Sequence, residues 1–137
     1  MAKYHELILS ASDAEVLALM LGERHRQHAL EAAAADALAD LLVEARLVPH
    51  EELPADRVAM NSKVTYREEP DGPRRSLVLV HPIEADAAVG RISVLSPIGL
   101  GLLGRTPGSR VTVNVPGART LTVRILDATR NRELRAA

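Results

Sequence analysis

The chain has 137 residues, a length that suits one globular domain or one small domain with an appendage. Its composition, with 47% hydrophobic and 26% charged residues, is usual for a globular protein. Cysteine is absent, which excludes disulfides, thiolate metal sites and cysteine nucleophiles. Phenylalanine and tryptophan are also absent, so the core must be aliphatic. No apolar run approaches the roughly 18 residues of a membrane span, and the N-terminus lacks the pattern of a signal peptide, so we expect a cytoplasmic protein without membrane contact.

The net charge of −1 conceals an asymmetry along the chain. Residues 1–53 hold 4 Lys or Arg and 10 Asp or Glu, whereas residues 54–137 hold 13 and 8. Two interpretations are open. The charges are either the solvated surfaces of an acidic helix pair and a mildly basic sheet, or they orient the protein on a large charged partner.

The N-terminal third has the pattern of two helices. Residues 6–9 predict a short strand or an extended lead-in, and residues 12–15 have the pattern of a capping box that begins the first helix. Gly22 is predicted to interrupt that helix before the polar residues 23–28, and apolar residues recur at helical spacing over residues 29–46. These elements predict a short antiparallel helical hairpin, or coiled coil, whose longer helix reaches about 27 Å.

Residues 48–54 contain two prolines and form the predicted domain boundary, so that residues 1–53 are the hairpin and residues 54–137 a second domain. In the second part, apolar and polar residues alternate as they do in strands, and residues 70–73 and 116–117 have the composition of turns. This pattern predicts an α+β fold, in which one short helix packs on an antiparallel sheet. The predicted strands are residues 63–67, 77–80, 92–95, 111–115 and 120–125.

Residues 90–104 carry the most specific local signals. Ser96 and Pro97 are typical of the N-cap and first position of a helix, and Gly104 suits the left-handed position that ends one. Gly99 and Gly101 lower helix propensity, which indicates that another part of the backbone or core approaches this face closely.

Four segments in this order and spacing resemble the bacterial Gre transcript-cleavage factors, the GreA/GreB superfamily, and above all their small relatives of the Rnk family, the regulators of nucleoside diphosphate kinase. The segments are residues 58–64, 77–82, 91–104 and 106–118. The resemblance implies a helical hairpin followed by an FKBP-like α+β domain.

The resemblance also implies a partner, the core RNA polymerase, bound at the rim of the secondary channel on its β′ subunit. The implied contact residues are Ser93, Leu95, Ser96 and Pro97. Gre factors often carry an acidic residue where this chain has Leu95, so an ionic contact at that position is not implied. We expect a monomer that requires no cofactor and meets nucleic acid only through the transcription complex.

The hairpin tip separates this chain from the cleavage factors. Gre factors carry two carboxylates at the tip, which hold a second magnesium ion and orient the attacking water. The tip predicted here comprises Glu23, Arg24, His25 and Arg26, with one carboxylate, on helices several turns shorter. We therefore expect no catalytic residues and no enzyme activity, and a regulator that competes with Gre-type factors. The alternative is a protein that regulates nucleoside diphosphate kinase or acts through another partner.

Other interpretations of single motifs are weaker. His25 and His28 have helical metal-ligand spacing, but two ligands are too few for a structural zinc site. The carboxylates of Asp36, Asp40 and Glu44 form either a solvated face or a surface for a basic partner. The glycines of residues 99–104 lie within a helix instead of before one, which argues against a phosphate loop. A prolyl isomerase pocket is usually lined by several aromatic residues, whereas Tyr66 is the only aromatic residue in residues 54–137.

Direct nucleic-acid binding is expected to be weak and salt-sensitive at most. The arginines of the second part lie on several predicted elements, and the stacking aromatics of single-strand binders are absent. Among these arginines are Arg91, Arg105, Arg110, Arg119 and Arg124.

Overall fold

The computed structural model describes residues 6–27, 32–114 and 120–130, and for residues 23–27 and 32 it describes the backbone alone. Its helices are α1 (Ala11–Gln27), α2 (Ala32–Glu44) and α3 (Pro97–Leu102). Its strands are β1 (Ile8–Ser10), β2 (Arg46–Val48), β3 (Ser62–Glu68), β4 (Arg74–Val80), β5 (Arg91–Ser93), β6 (Arg110–Asn114) and β7 (Thr120–Arg130). None of the helices in these described parts is both long enough and apolar enough to cross a membrane.

The helical hairpin is confirmed, but two predictions about its first helix were wrong. Helix α1 continues through Gly22 to Gln27, because a single glycine costs a helix only about 1 kcal/mol and good helix formers follow it. The N-terminal cap is Ser10 instead of Ser12, since the Ser10 hydroxyl accepts the amide of Asp13 at 3.0 Å. The Asp13 carboxylate instead accepts the Met60 amide at 3.0 Å, which ties α1 to the second part of the chain.

The second helix ends earlier than predicted, at Glu44, and residues 46–48 form an unpredicted strand. Strand β2 pairs in parallel with β1, which satisfies its backbone groups, so that the chain extends instead of continuing the helix. The residues beyond it are packed and not a free linker, because Leu53 is buried against Ile8 and Ala59.

The larger sheet has the strand order β5-β4-β3-β7-β6. The prediction of an antiparallel sheet was wrong at one edge, where β5 pairs in parallel with β4. Residues 81–90 make this possible, because they cross over through two short 3₁₀ turns and Gly90, at φ +79°, before β5 begins. The other strand pairs are antiparallel, as predicted.

The five predicted strands of this sheet are all present, with shifted ends. Strand β7 is longer than predicted and runs to Arg130, and β5 ends at Ser93 instead of residue 95. Residue 115 and the predicted turn at 116–117 lie outside the described residues.

One aliphatic core joins the two parts of the chain. The inner face of the sheet contributes Val64, Leu79, Val111 and Ile125, among others, and the helices cover it. The helical residues of the same cluster are Leu17, Met20, Leu38, Leu41, Leu100 and Leu102, and Leu103 follows directly after α3. The opposite, outer face of the sheet carries polar side chains, as the alternating burial of β6 illustrates.

Candidate functional site

The four predicted contact residues lie in one tight turn between β5 and α3. The preceding strand positions this turn, because Ser93 pairs with Val80 and the Val94 amide donates to the Val80 carbonyl at 2.9 Å. The Ser93 hydroxyl accepts the Leu95 amide at 3.0 Å, and the Ser93 carbonyl accepts both the amide and the hydroxyl of Ser96, at 3.1 and 2.8 Å. Four hydrogen bonds therefore fix the backbone of the turn.

The turn leads directly into α3, whose predicted cap is confirmed. The Ser96 hydroxyl accepts the Gly99 amide at 3.1 Å, and Pro97 occupies the first helical position. The same hydroxyl thus bonds to Ser93 behind it and Gly99 ahead of it. Removing it would loosen the turn and the helix together.

Close packing explains two glycines of α3, as predicted. A Cβ on Gly99 would collide with the carbonyl oxygen of Ser93 and lie 3.0 Å from Val94 Cα. A Cβ on Gly101 would lie 2.7 Å from a methyl group of Val113 on the inner face of the sheet. The helix is therefore pressed against both the turn and the sheet.

The end of α3 is anchored to the N-terminal part of the chain. Gly104 adopts φ +83°, the left-handed conformation predicted for it. Its amide donates to the Val58 carbonyl at 2.9 Å, and its carbonyl accepts the Ile8 amide at 3.2 Å and a guanidinium N–H of Arg57 at 3.0 Å. Burial lowers the pKa of Arg105, whose Nε donates to the Gly101 carbonyl at 3.0 Å.

The turn offers part of its surface to solvent. Pro97 is exposed, Ser93, Leu95 and Ser96 are half-buried, and Val94 is fully buried and anchors the turn in the core. The arrangement presents one apolar ring and two hydroxyl-bearing residues on a rigid backbone.

An exposed isoleucine beside the turn was missed by the sequence analysis. The 3₁₀ turn Pro82–Glu84 packs beside β5, and its Ile83 side chain is 84% exposed. The only sequence signal was an isoleucine directly after the His81-Pro82 step, where a polar residue is usual. Ile83 therefore adds exposed apolar surface beside β5, the strand that leads into the turn.

The predicted hairpin tip falls at the end of α1. The backbones of Glu23, Arg24, His25 and Arg26 are helical, and their side chains and the whole of His28 lie outside the described residues. On α2, Asp36, Asp40 and Glu44 are all exposed. Within the described segments, no group of three His, Asp or Glu residues is placed to hold a metal ion.

Comparisons with known proteins point to one family. The family described as "Transcription elongation factor, GreA/GreB, C-term" matches residues 53–130, which are more than half of the chain and include the Ser-Pro turn and α3. A solved prokaryotic transcription elongation factor GreA/GreB from Nitrosomonas europaea is 35% identical, with a TM-score of 0.72 over 90% of this chain and 98% of that one. This similarity confirms the α+β class, whereas the finer FKBP-like description stays a prediction.

Two curated relatives carry different names. Transcription elongation factor GreA from Flavobacterium johnsoniae is 38% identical over 93 residues, which cover 68% of this chain and 58% of the relative. The regulator of nucleoside diphosphate kinase from Escherichia coli K12 is 36% identical over 93 residues, which cover 68% of each chain. The chain thus spans little more than half of the GreA relative and about two thirds of the second one.

Proposed function

Since the chain belongs to the GreA/GreB family of transcription elongation factors, we propose that it regulates transcription by binding core RNA polymerase at the rim of the secondary channel, without stimulating transcript cleavage. Residues 54–137 would supply the contact through Ser93, Leu95, Ser96 and Pro97, and the hairpin of residues 1–53 would stand at the channel entrance. Regulation would follow from occlusion of the channel to Gre-type factors.

The observation that carries this proposal is the rigidity of the exposed Ser-Pro turn. Hydrogen bonds within the turn, the buried Val94 and the close contact of Gly99 hold its backbone in one conformation. A preorganised surface loses little conformational entropy when it binds, so even a small contact can be specific. The half-buried Leu95 would provide an apolar contact, and the exposed Ile83 beside β5 offers further apolar surface.

The proposed lack of cleavage activity rests on the hairpin. Helix α1 has 17 residues and α2 has 13, so α1 spans about 26 Å. The predicted tip carries Glu23 beside two arginines and a histidine, so the sequence supplies one carboxylate there. One carboxylate among cations is a poor ligand set for a magnesium ion, which favours two or more oxygen ligands of negative charge.

The test is the affinity for core RNA polymerase of the wild-type chain and the Pro97→Asp variant. Aspartate is tolerated at the start of a helix, where it interacts favourably with the helix dipole, so the fold should survive while a charge replaces the apolar ring. We expect binding at least tenfold weaker than wild type. Pro54→Asp is the matched control, because Pro54 is also exposed but lies outside the turn. Equal losses in both variants, or none in either, would place the contact elsewhere.

Competition and cleavage assays test the remaining parts of the proposal. A Gre-type cleavage factor in excess should displace the wild-type chain from polymerase. Addition of the chain to backtracked complexes should leave RNA cleavage at its basal rate and slow the cleavage that a Gre factor stimulates. Faster cleavage with the chain alone would contradict the non-catalytic role.

A second candidate function follows from the similarity to the regulator of nucleoside diphosphate kinase from Escherichia coli. On this alternative the chain acts on nucleoside diphosphate kinase or on another partner instead of polymerase. Kinase binding that persists in Pro97→Asp, together with no binding of wild type to micromolar polymerase, would favour the alternative.

A further inference from the structure

Four arginines stand side by side across four strands of the larger sheet. Arg74 of β4 pairs with Arg67 of β3, Arg67 pairs with Arg124 of β7, and Arg124 pairs with Arg110 of β6. These pairings make one row perpendicular to the strands, the arginine row. Neighbouring strands lie about 4.8 Å apart, so the row spans about 14 Å.

The row lies on the outer face of the sheet. On β3 the residues on either side of Arg67 point the other way, and on β6 and β7 the inner positions Val111 and Val123 are buried beneath Arg110 and Arg124. Hydroxyl side chains flank the row. They belong to Thr65, Ser76, Thr112 and Thr122, which bond to one another in pairs across the strands. This face therefore combines guanidinium groups with hydroxyls and has little apolar surface, and it also carries the exposed carboxylate of Asp127, opposite Thr65.

One carboxylate neutralises only half of the row. Glu69 accepts from Arg110 at 2.6 Å through Oε1 and from Arg124 at 3.1 Å through Oε2. Hydrogen bonds from Arg124 and then Arg110 lower the pKa of Glu69 below its usual value, so it is ionised at neutral pH. Arg67 and Arg74 form no ion pair or side-chain hydrogen bond with any residue that the structure describes, and both are exposed.

Such an arrangement does not stabilise the sheet. Like charges directly opposite one another on adjacent strands are destabilising, and the row contains three such pairs. A bound polyanion would relieve this repulsion. The net positive charge of the row, with four arginines against Glu69, selects a partner with closely spaced negative charges.

We propose that the arginine row binds the phosphate backbone of double-stranded nucleic acid without sequence preference. Protein–DNA interfaces are more polar and more positive than protein–protein interfaces, and Arg, Ser and Thr are common phosphate ligands. B-DNA carries one phosphate per strand for each 3.4 Å of its axis, so a row of about 14 Å faces roughly four phosphates. A single strand is less suitable, because this face offers no aromatic ring on which bases could stack. The Ser-Pro turn is not part of this surface.

The test measures binding of a fluorescein-labelled 20-base-pair DNA duplex to the full chain by anisotropy, from low to physiological salt. The R67Q/R74Q double variant removes the two unpaired guanidinium groups and also the repulsion between them, so it should remain folded. We expect it to bind about tenfold more weakly at low salt, with a log–log salt slope smaller in magnitude by about 2. A duplex of unrelated sequence should bind wild type equally well.

Two further variants make the design specific. R75Q is the matched control, because Arg75 is the exposed neighbour of Arg74 but pairs with Tyr66 on the opposite side of the strand. It should change affinity less than twofold. Glu69→Gln removes the carboxylate that competes for Arg110 and Arg124, so it should strengthen DNA binding severalfold and steepen the salt slope.

Three results would overturn the proposal. These are no duplex binding by wild type at low salt, an equal loss in R75Q and R67Q/R74Q, or displacement of the duplex by poly-glutamate at equal charge concentration. The last result would identify an acidic protein surface as the partner. None of these outcomes bears on polymerase docking, which Pro97→Asp tests with polymerase itself, and loss of docking in that variant would leave duplex binding unchanged.

Discussion

Replacing Gly99 by alanine tests whether the fold depends on the close contact between α3 and the Ser-Pro turn. The new Cβ would collide with the Ser93 carbonyl oxygen, which already accepts two hydrogen bonds from Ser96. Overpacking of this kind costs about 1–3 kcal/mol, and the higher helix propensity of alanine returns about 0.5–1 kcal/mol. The net expectation is a loss of about 0.5–2 kcal/mol in the free energy of unfolding.

Gly22→Ala is the matched control for this substitution. Gly22 also lies inside a helix, but a Cβ there would meet nothing within 4 Å. Only the higher helix propensity of alanine then acts, so this variant should be more stable than wild type by about 0.5–1 kcal/mol. The same chemical change is thus expected to have opposite signs at two helical positions.

Urea denaturation followed by circular dichroism at 222 nm measures both effects. With a slope of about 2 kcal/mol per molar urea, Gly99→Ala should lower the midpoint by about 0.25–1 M and Gly22→Ala should raise it by about 0.25–0.5 M. A Gly99→Ala variant as stable as wild type would refute the reasoning, because it would show that the turn can move away from α3 at no cost. The turn would then not be the rigid surface on which the proposed docking depends.

Three further predictions concern Ser96 of the turn, Gly104 after α3, and Glu69, which pairs with two arginines of the arginine row. Ser96→Ala should cost about 1–2 kcal/mol in chemical denaturation, because it removes both the cap of α3 and the hydrogen bond to the Ser93 carbonyl. Ser96→Asp should recover only the part that belongs to the cap, since an ionised carboxylate can accept the Gly99 amide but cannot donate to the Ser93 carbonyl. Gly104→Ala should cost about 1–2 kcal/mol, since alanine is strained at φ +83°, and a full loss of folding in thermal melts is not expected. Glu69→Gln should lower stability at neutral pH. Because the folded pKa of Glu69 is depressed, its contribution is present above the ordinary carboxyl pKa and is lost as pH falls through the lower folded value, so the unfolding curves of the wild type and the Glu69→Gln variant should converge in acid.

The local signals around α3 predicted its structure correctly, whereas those of α1 did not, since its cap is Ser10 and the helix continues through Gly22. The hydroxyl of Ser96 suits a helix cap, the ring of Pro97 suits the first helical position, and Gly104, which has no Cβ, suits the left-handed residue after a helix. All three residues occupy those positions. The same logic predicted the close approach to Gly99. These predictions needed no knowledge of which segments meet in space.

Elements that depend on distant partners could not be predicted in this way. Strand β2 forms because β1 lies beside it, and β5 is parallel because the crossover at residues 81–90 is compact enough to bring it back to β4. The arginine row is the clearest example. The sequence places Arg110 and Arg124 on different strands, and only the register joins them to Arg67.

A single extra residue decides that register. Between Thr65 and Tyr66 the pairing of β3 with β7 shifts, so that Thr65 faces Asp127 and Tyr66 faces Ile125. Without the bulge, Arg67 would lie opposite Ile125, and the inner and outer faces of the two strands would no longer match. Bulges of this kind leave little trace in the sequence, which is why the arginines looked scattered before the strands were aligned.

The two proposed surfaces lie at opposite ends of one strand. Arg74 begins β4, whereas Val80, which pairs with Ser93 at the docking turn, ends it. Six residues at about 3.3 Å each separate them by about 20 Å, so the protein could contact polymerase and a duplex at the same time. Substitutions this far apart should act independently on the free energy of binding. On a polymerase complex that contains DNA, the losses from Pro97→Asp and R67Q/R74Q should therefore add if each surface has its own partner. If the variant that combines Pro97→Asp with R67Q/R74Q lost no more affinity for the complex than Pro97→Asp alone, the arginine row would not contact the complex.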